Sequence, residues 1–407
     1  MKTTIHLNKL LTTTMIIVSC VVLSCQKVGE KAKEEKTFQL VKQPDKIIEL
    51  DSLTNYDRVV GRLIDVEGKT NFVYYNQAQT SLYFHDYVTG KVNDIVKLKQ
   101  EGPNKVPTFV MDFLIHTKDS IFINSRLYTD QLYMVNRHGE VLYKKTSPNN
   151  LDDVLAPRDN SKNYTLDNAA YFNYPNLHFG IDIFKPELGE PYPLRGALNL
   201  LNNDLHDLYM EKSTLFPNFR AYAELRDSKG GLEINSTTVG NGAHVFASSQ
   251  ISDSIYEYNK GKFIKAHFAG HPKVNLGDYK TLFESAHIVI TVVEGGGAME
   301  YIYAAERPPH FGRMLIDLEK EWIYRFLIER TKGEELEGTK SVKVLVDQAS
   351  IVAFNTNTKK SYTLKFPEEV DLNVNLQQIF ANKNGIHFPS SDQETESEKR
   401  YNVYKLQ

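Results

Sequence analysis

Short segments in which β-branched and aromatic residues alternate with polar ones dominate the chain, and glycine-containing turns separate them. One such phrase has strand-like segments at 72–76, 81–86 and 92–98, with a Thr89-Gly90 turn before the third. Period-two alternation bounded by Gly, Asn or Asp is typical of β-hairpins. The pattern therefore predicts an all-β protein.

This phrase of strand, strand, glycine turn and strand recurs along the chain. Copies occupy 119–144, with a His138-Gly139 turn, and 243–265, and a looser copy occupies 350–366. Tyr83 and Tyr133 hold equivalent positions about 50 residues apart, a repeat length typical of β-propellers. We therefore expect a single β-propeller with long loops on one face. A β-sandwich-rich protein built from unrelated hairpins is the alternative.

The repeats divide the chain into six expected blades: 58–98, 109–145, 166–195, 232–268, 313–366 and 376–406. The last blade is one strand short. Either 38–41 or 46–50 has the β-character to supply that strand, and this pairing closes the ring without exposed sheet edges. The two chain ends are thus expected to share a blade.

The N-terminus has the pattern of a secretory signal. Lys2 and Lys9 precede an apolar run at 10–23, which is shorter than the roughly 20 residues of a spanning helix. The run ends in Val22-Leu23-Ser24-Cys25, which resembles a bacterial lipobox, and Cys20 closes a weaker one. We predict a lipoprotein signal peptide at 1–24, lipidation of Cys25, a charged tether at 25–36 and the propeller at 37–407.

Composition and the residues near Cys25 limit which partners the protein is expected to bind and where in the cell it is expected to be. The chain has 48 Lys and Arg against 51 Asp and Glu, a net charge of −3, which argues against nucleic-acid binding. Both cysteines lie within the first 25 residues, so a processed chain has no disulfide. Gln26 follows the lipidation site, with no Asp to suggest inner-membrane retention. We expect an outer-membrane lipoprotein, held by membrane lipid through Cys25, with the leaflet open.

The longest expected connections between blades are 196–231 and 269–312. Loops of this length in a compact domain are usually functional or disordered. Residues 198–215 space Leu201, Leu205 and Leu208 as on a short helix. Connections between blades all lie on one face, beside the channel, so this face is the expected binding face. Its candidate ligand-binding residues are Glu101, Asn104, Arg307, His310 and Arg313.

The sequence contains no recognisable catalytic, cofactor or metal motif. His267 and His271 are four residues apart, but Gly270 and Pro272 break any helix that would align them. A Gly-x-Ser-x-Gly elbow is missing. We therefore expect a binding module for a peptide, glycan or protein. A propeller-fold hydrolase or lyase and a structural subunit of an envelope complex are the alternatives.

Several phrases also resemble a known group of proteins. The phrase Lys99-Gln-Glu-Gly-Pro-Asn104, the strands at 119–123 and 132–139, and the segments at 314–317 and 322–326 are similar to an uncharacterised family of Bacteroidota lipoproteins. The resemblance implies a lipobox, a similar length and a propeller fold. It is dense only in 71–145 and 311–328, and Lys105 stands where the family pattern has Gly. The family has no assigned activity, so it implies no catalytic residue.

Overall fold

The structure is a computed structural model that describes part of the chain. The described residues are 38–55, 59–106, 110, 112–125, 131–146, 164–165, 172–173, 176–181, 195–199, 205–208, 236–241, 244–249, 252–259, 262–276, 309–317, 319, 321–335, 342–374, 376–392 and 395–407. The chain divides into two compact units, Met1–Phe38 and Gln39–Gln407, and the second contains every described strand. No helix within the described ranges is long and apolar enough to cross a membrane.

The described secondary structure is almost entirely β. In chain order the strands are β1 (Leu40–Glu49), β2 (Gly61–Val66), β3 (Lys69–Asn76), β4 (Ser81–Asp86), β5 (Val92–Lys97), β6 (Asp112–Thr117), β7 (Ser120–Ser125), β8 (Gln131–Val135), β9 (Val141–Thr146), β10 (Tyr164–Thr165), β11 (Phe172–Asn173), β12 (Asn176–Ile181), β13 (Arg195–Asn199), β14 (Leu205–Leu208), β15 (Ser236–Asn241), β16 (His244–Ser249), β17 (Ser254–Asn259), β18 (Lys262–Phe268), β19 (His310–Ile316), β20 (Trp322–Glu335), β21 (Val342–Asn355), β22 (Ser361–Lys365), β23 (Phe380–Asn382), β24 (Gly385–Pro389) and β25 (Glu398–Leu406). A single 3-10 turn spans Leu376–Gln378.

The described strands form six antiparallel sheets, numbered here along the chain. Sheet 1 is β2–β5, sheet 2 is β6–β9, sheet 3 is β10–β14, sheet 4 is β15–β18, sheet 5 is β19–β22, and sheet 6 is β23–β25 with β1 at its outer edge. Contacts between strands near the inner edges link the sheets in the order β6, β2, β23, β19, β15 and β12. This is a β-propeller, as the repeats predicted.

Both faces of sheet 1 are buried, because it packs between sheets 6 and 2. On β3, Phe72 and Tyr74 pack with Tyr401 of sheet 6, whereas Val73 packs with Ile121 of sheet 2. Successive side chains of a strand point to opposite faces, so one strand serves two cores. This explains why Phe72, Val73 and Tyr74 are all buried, whereas a half-exposed sheet would alternate apolar and polar residues.

Sheet 6 joins the two ends of the folded unit, as the sequence predicted. β1 pairs with β25 from Leu40↔Leu406 to Glu49↔Glu398, with a register shift between Gln43 and Lys46. Gln39 and Gln407 exchange two backbone hydrogen bonds of 3.0 Å beyond the last pair. Both candidate closing segments, 38–41 and 46–50, overlap this single strand, which takes the outer edge of the sheet.

The expected third blade was too short. The sequence ended it at 195 and placed a loop at 196–231 with a short helix at 198–215, but β13 and β14 lie within those ranges. Leu205 pairs with Leu198, and Leu208 pairs with Arg195. Sheet pairing satisfies the backbone groups of this segment, and the helical spacing of its leucines does not decide its structure. The remaining residues before β15, 209–235, lie outside the described part of the chain.

Each sheet has a turn face and a loop face. Strand direction alternates across a sheet, so every connection to the next sheet leaves from the same end, which we call the loop face. The chain segments between consecutive sheets begin and end there: 50–60, 98–111, 147–163, 209–235, 269–309 and 366–379, of which 147–163, 209–235 and 277–308 lie outside the described residues. The opposite end, the turn face, carries the tight turns 67–68, 87–91, 136–140, 356–360 and 383–384.

Glycine allows two of these turns to pack against the outer strand of the preceding sheet. Gly90 has φ +76°, and a Cβ there would lie 2.3 Å from the carbonyl oxygen of Ile47 in β1. Gly139 has φ +71°, and its Cβ would lie 1.9 Å from the carbonyl oxygen of Lys97 in β5. A side chain at either position would be both strained and in steric conflict.

Candidate functional site

The first predicted pair, Glu101 and Asn104, lies on the loop face in the connection from β5 to β6. Glu101 is exposed and Asn104 is half-buried. The turn is held by its own backbone, through Lys105 N–H to Gly102 O at 3.1 Å and Val106 N–H to Lys99 O at 2.8 Å. Because the backbone closes this turn, the two side chains are not required to cap it.

The predicted cations near sheet 5 have different environments. His310 begins β19 at the loop face and is half-buried. Arg313 lies further along β19, and its Nη1 donates hydrogen bonds to the carbonyl oxygens of Leu376 at 3.2 Å and Ile379 at 3.0 Å. Arg313 therefore fastens sheet 5 to the segment that enters sheet 6. Arg307 and the predicted lipidation site Cys25 lie outside the described residues.

The loop face also carries a projecting hairpin. β20 and β21 pair as far as Glu335↔Val342, whereas β19 pairs with β20 only up to Ile328, and β22 pairs with β21 only from Ser350. The hairpin therefore extends beyond its own sheet on the side where the inter-sheet connections run. In the predicted loop 269–312, residues 277–308 lie outside the described part of the chain.

A charged cluster joins sheets 4 and 5 near the turn face. The carboxylate of Glu257, only 7% exposed, contacts His244 Nε2 at 2.7 Å and His267 Nε2 at 2.6 Å, and accepts a hydrogen bond from Lys359 Nζ at 2.8 Å. Burial alone raises the pKa of Glu257, but the hydrogen bonds from Lys359, His267 and His244 lower it to about 2. Glu257 therefore stays ionised and fully partnered, so the cluster acts as a clamp between sheets.

Arg325 joins the same two sheets nearer the loop face. The guanidinium donates hydrogen bonds to the carbonyl oxygens of Ala269 at 2.7 Å and Ser252 at 2.6 Å, and to Ser248 Oγ at 2.8 Å. It also lies 3.5 Å from the centroid of the Phe311 ring. Burial lowers the pKa of Arg325 to about 9, so it remains a cation at neutral pH. The planar guanidinium can donate to both carbonyl groups at once, that of Ser252 before β17 and that of Ala269 after β18.

An open crevice of about 330 Å³ lies on the turn face between sheets 6 and 1. Its lining residues are Gln43, Pro44, Asp45, Lys46, Tyr87, Val88, Asn384, Val403 and Lys405. Pro44 and Asp45 fall in the register shift between Gln43 and Lys46, which displaces β1 from β25. The sequence analysis did not find this crevice, although Pro44 within a strand-like segment was a signal for a bulge.

The wall of the crevice is anchored by a buried histidine. Tyr87 Oη lies 2.6 Å from His387 Nε2, and His387 Nδ1 lies 3.1 Å from the carbonyl oxygen of Gly385. Nδ1 therefore carries the ring proton, and Nε2 accepts from the tyrosine hydroxyl. His387 is fully buried, and its burial lowers its pKa to about 3. His387 is therefore neutral at physiological pH, and its ring holds the Tyr87 hydroxyl at the crevice.

Lys46 brings a positive charge to the crevice. Its Nζ donates to the carbonyl oxygen of Val88 at 3.0 Å and lies 5.1 Å from the Tyr87 ring centroid. Burial lowers the pKa of Lys46. None of the carboxylates in the described ranges lies within ion-pair distance of Lys46 Nζ or Lys405 Nζ. Three or more His, Cys, Asp or Glu side chains with metal-binding geometry do not occur together in the described part of the chain.

Comparison with known proteins identifies the fold but no activity. No family model and no curated protein matches the chain. A solved member of the DUF4221 family from Bacteroides vulgatus is 13% identical, with a TM-score of 0.64 over 91% of this chain and 99% of that one. A protein from Bacteroides fragilis that is described as exported is 12% identical. Its TM-score is 0.52 over 92% of this chain and 96% of that one. At these identities the similarity is one of fold.

Proposed function

We propose that this protein is a lipid-anchored envelope protein whose six sheets are the blades of one closed β-propeller. Its loop face binds a peptide, glycan or protein partner. A lipid on Cys25 attaches the chain to the outer membrane. The proposal on function rests on one observation, the difference between the two faces of the folded unit.

The chain segments that join consecutive sheets begin and end at the loop face, and the projecting hairpin extends on the same side. The connections 147–163, 209–235 and 269–309 are far longer than the turns 67–68 and 383–384 on the opposite side. Long connections on a rigid scaffold are where binding residues concentrate, because a loop can change without altering the core. The hairpin of β20 and β21 adds a rigid wall to this face.

Closure of the ring gives these loops a fixed frame. β1 pairs with β25 along most of its length, so the first and last strands of the folded unit lie in one sheet. This closure supports a count of six blades, each sheet counting as one blade. It also supports simultaneous contact of one partner with several connections, since a closed ring holds them at constant spacing.

The lipobox-like segment ending in Cys25 supports attachment to the envelope, as does the similarity to an exported protein from Bacteroides fragilis. Labelled palmitate tests the attachment. We expect the chain to incorporate the label and a Cys25→Ala variant to lose it. Label retained by that variant would transfer the assignment to Cys20.

Site-specific photo-crosslinking tests the binding face. A photoreactive amino acid at Glu101 probes the loop face, and the same residue at Thr358 is the matched control, because both positions are exposed and lie at opposite ends of the sheets. We expect a discrete adduct from position 101 in cells of the source organism and none from position 358. Adducts from 358 alone, or equally from both, would contradict a loop-face binding site.

A further inference from the structure

The crevice on the turn face carries a second set of binding groups, separate from the loop face. It combines two lysines that form no ion pair with a carboxylate of the described residues, one carboxylate and two side-chain amides. The lysines are Lys46 and Lys405, the carboxylate is Asp45, and the amides are Gln43 and Asn384. We propose that it binds a phosphoethanolamine group, the zwitterionic headgroup of a phospholipid.

The charges of the crevice match the two ends of this headgroup. Removing a lysine ammonium from water without a counter-ion is unfavourable, so a half-buried Lys46 favours an anionic ligand group. Asp45 lies beside it in the chain but is not within ion-pair distance. When a phosphate binds to Lys46 and Lys405, the carboxylate of Asp45 can bind the ammonium group of the same headgroup. A simple anion would meet Asp45 with repulsion.

The size of the crevice suits a headgroup. A volume of about 330 Å³ is at the low end of ligand pockets. The crevice opens to solvent, so acyl chains can remain outside it.

The position of the crevice explains where the headgroup comes from. Gln39, the first residue of the folded unit, lies on the turn face beside Gln407. The chain that carries Cys25 therefore enters the folded unit at this face. Val88 borders the crevice and is 82% exposed, an apolar side chain placed for the membrane interface. Only the origin of the lipid rests on the proposed attachment through Cys25.

Binding of the soluble headgroup tests the site without the membrane. The full chain in a non-ionic detergent is titrated calorimetrically with O-phosphoethanolamine, inorganic phosphate and ethanolamine. We expect O-phosphoethanolamine to bind at least tenfold more tightly than either half. Lys46→Met keeps the aliphatic stem, and both Lys46→Met and Asp45→Asn should weaken binding at least fivefold without changing the melting temperature.

Matched controls and a lipid measurement complete the test. Lys91→Met removes an exposed turn-face lysine outside the crevice lining and should leave binding unchanged. A photoreactive residue at Val88 should crosslink lipid in phosphatidylethanolamine–phosphatidylglycerol vesicles and not in phosphatidylglycerol vesicles. Equal binding of inorganic phosphate, unchanged binding by Lys46→Met, or crosslinking without headgroup preference would each overturn the proposal. Palmitate labelling of Cys25 reports separately on the anchor.

Discussion

Two junctions between neighbouring sheets use opposite chemistry. The 4–5 junction, between sheets 4 and 5, is charged: it contains Glu257 with its three cationic or imidazole partners, and the buried Arg325. The 6–1 junction, between sheets 6 and 1, contains a cluster of aromatic side chains and the hydrogen bond between Tyr87 and His387. Only the 4–5 junction depends on complete pairing of charges.

The two junctions therefore differ in how much stability is lost when one partner is removed and in how they respond to pH. A buried charge costs several kcal/mol when one partner is removed, although the intact pair adds little over an apolar contact. The aromatic contacts of the 6–1 junction, such as Phe380 with Tyr401 at a centroid distance of 4.9 Å, tolerate changes of pH. Its weakness on acidification lies in two buried histidines, His387 and His85, whose pKa values burial lowers.

Removing the closing strand should have the largest effect. Deleting 400–407 removes Tyr401, Val403 and Tyr404, all buried, and breaks the pairings of β25 with both β1 and β24. At about 1.5–3 kcal/mol for each buried side chain, the loss approaches the stability of a domain. Circular dichroism should show no cooperative melting transition. Deleting Gln407 alone is the control, and an unchanged midpoint in the longer deletion would refute closure through β25.

Arg325→Met should have the next largest effect. Methionine fills part of the space but leaves three buried acceptor groups without their donor, and hydrogen bonds to a charged group contribute about 1.5–3 kcal/mol each. We expect the free energy of unfolding to fall by about 3 kcal/mol or more in urea titrations. Arg330→Met, at an exposed ion pair on the hairpin, should cost less than about 1 kcal/mol. Equal losses would show that burial of Arg325 has no energetic consequence.

Glu257→Gln should destabilise the 4–5 junction to a smaller extent. Glutamine keeps the shape but presents one acceptor oxygen to His244, His267 and Lys359, so we expect a loss of about 2 kcal/mol at neutral pH. The pKa of Glu257 is below its ordinary value when folded, so its contribution is complete above about pH 4.5 and is lost as pH falls towards about 2. The variant should lose this acid-dependent part. Glu368→Gln, at an exposed pair, is the control.

His387→Gln should have the smallest effect at neutral pH and a clear one in acid. The pKa of the folded histidine, about 3, is below its ordinary value of 6.5, so the unfolded chain takes up the proton first. Stability should fall as pH drops from about 6.5 towards 3, by up to about 1.4 kcal/mol per unit. Glutamine can serve both hydrogen-bond partners without titrating, so the variant should show a shallower decline. Exposed His138→Gln should follow the parent.

Local sequence was sufficient for the strands of the repeated hairpins and for several of their turns. The hairpins around Thr89-Gly90 and His138-Gly139 follow from alternation and from glycines that adopt positive φ. The propeller class follows from their repetition. The closing strand follows from the strand-like residues at 38–50 that belong to none of the expected blades. These features depend on neighbours in the chain, so a single sequence contains them.

The contacts between sheets were decided only by the tertiary structure. Glu257 meets Lys359 across 102 residues, and Tyr87 meets His387 across 300. Period-two alternation shows which side chains of a strand point to the same face of the sheet. It does not show which side chain of another sheet lies opposite them. The third sheet shows the same limit, because pairing with β13 placed Leu205–Leu208 in a strand despite helical spacing.

The sequence by itself determined the β-strands, their repetition and the sheet that joins the chain ends, because backbone hydrogen bonding and side-chain alternation act over a few residues. The tertiary structure decided that Glu257 and Arg325 are partnered inside a junction, and that a bulge at Pro44 and Asp45 opens a crevice beside Tyr87. These properties depend on burial and on distances between sheets, which form only when the sheets pack against one another.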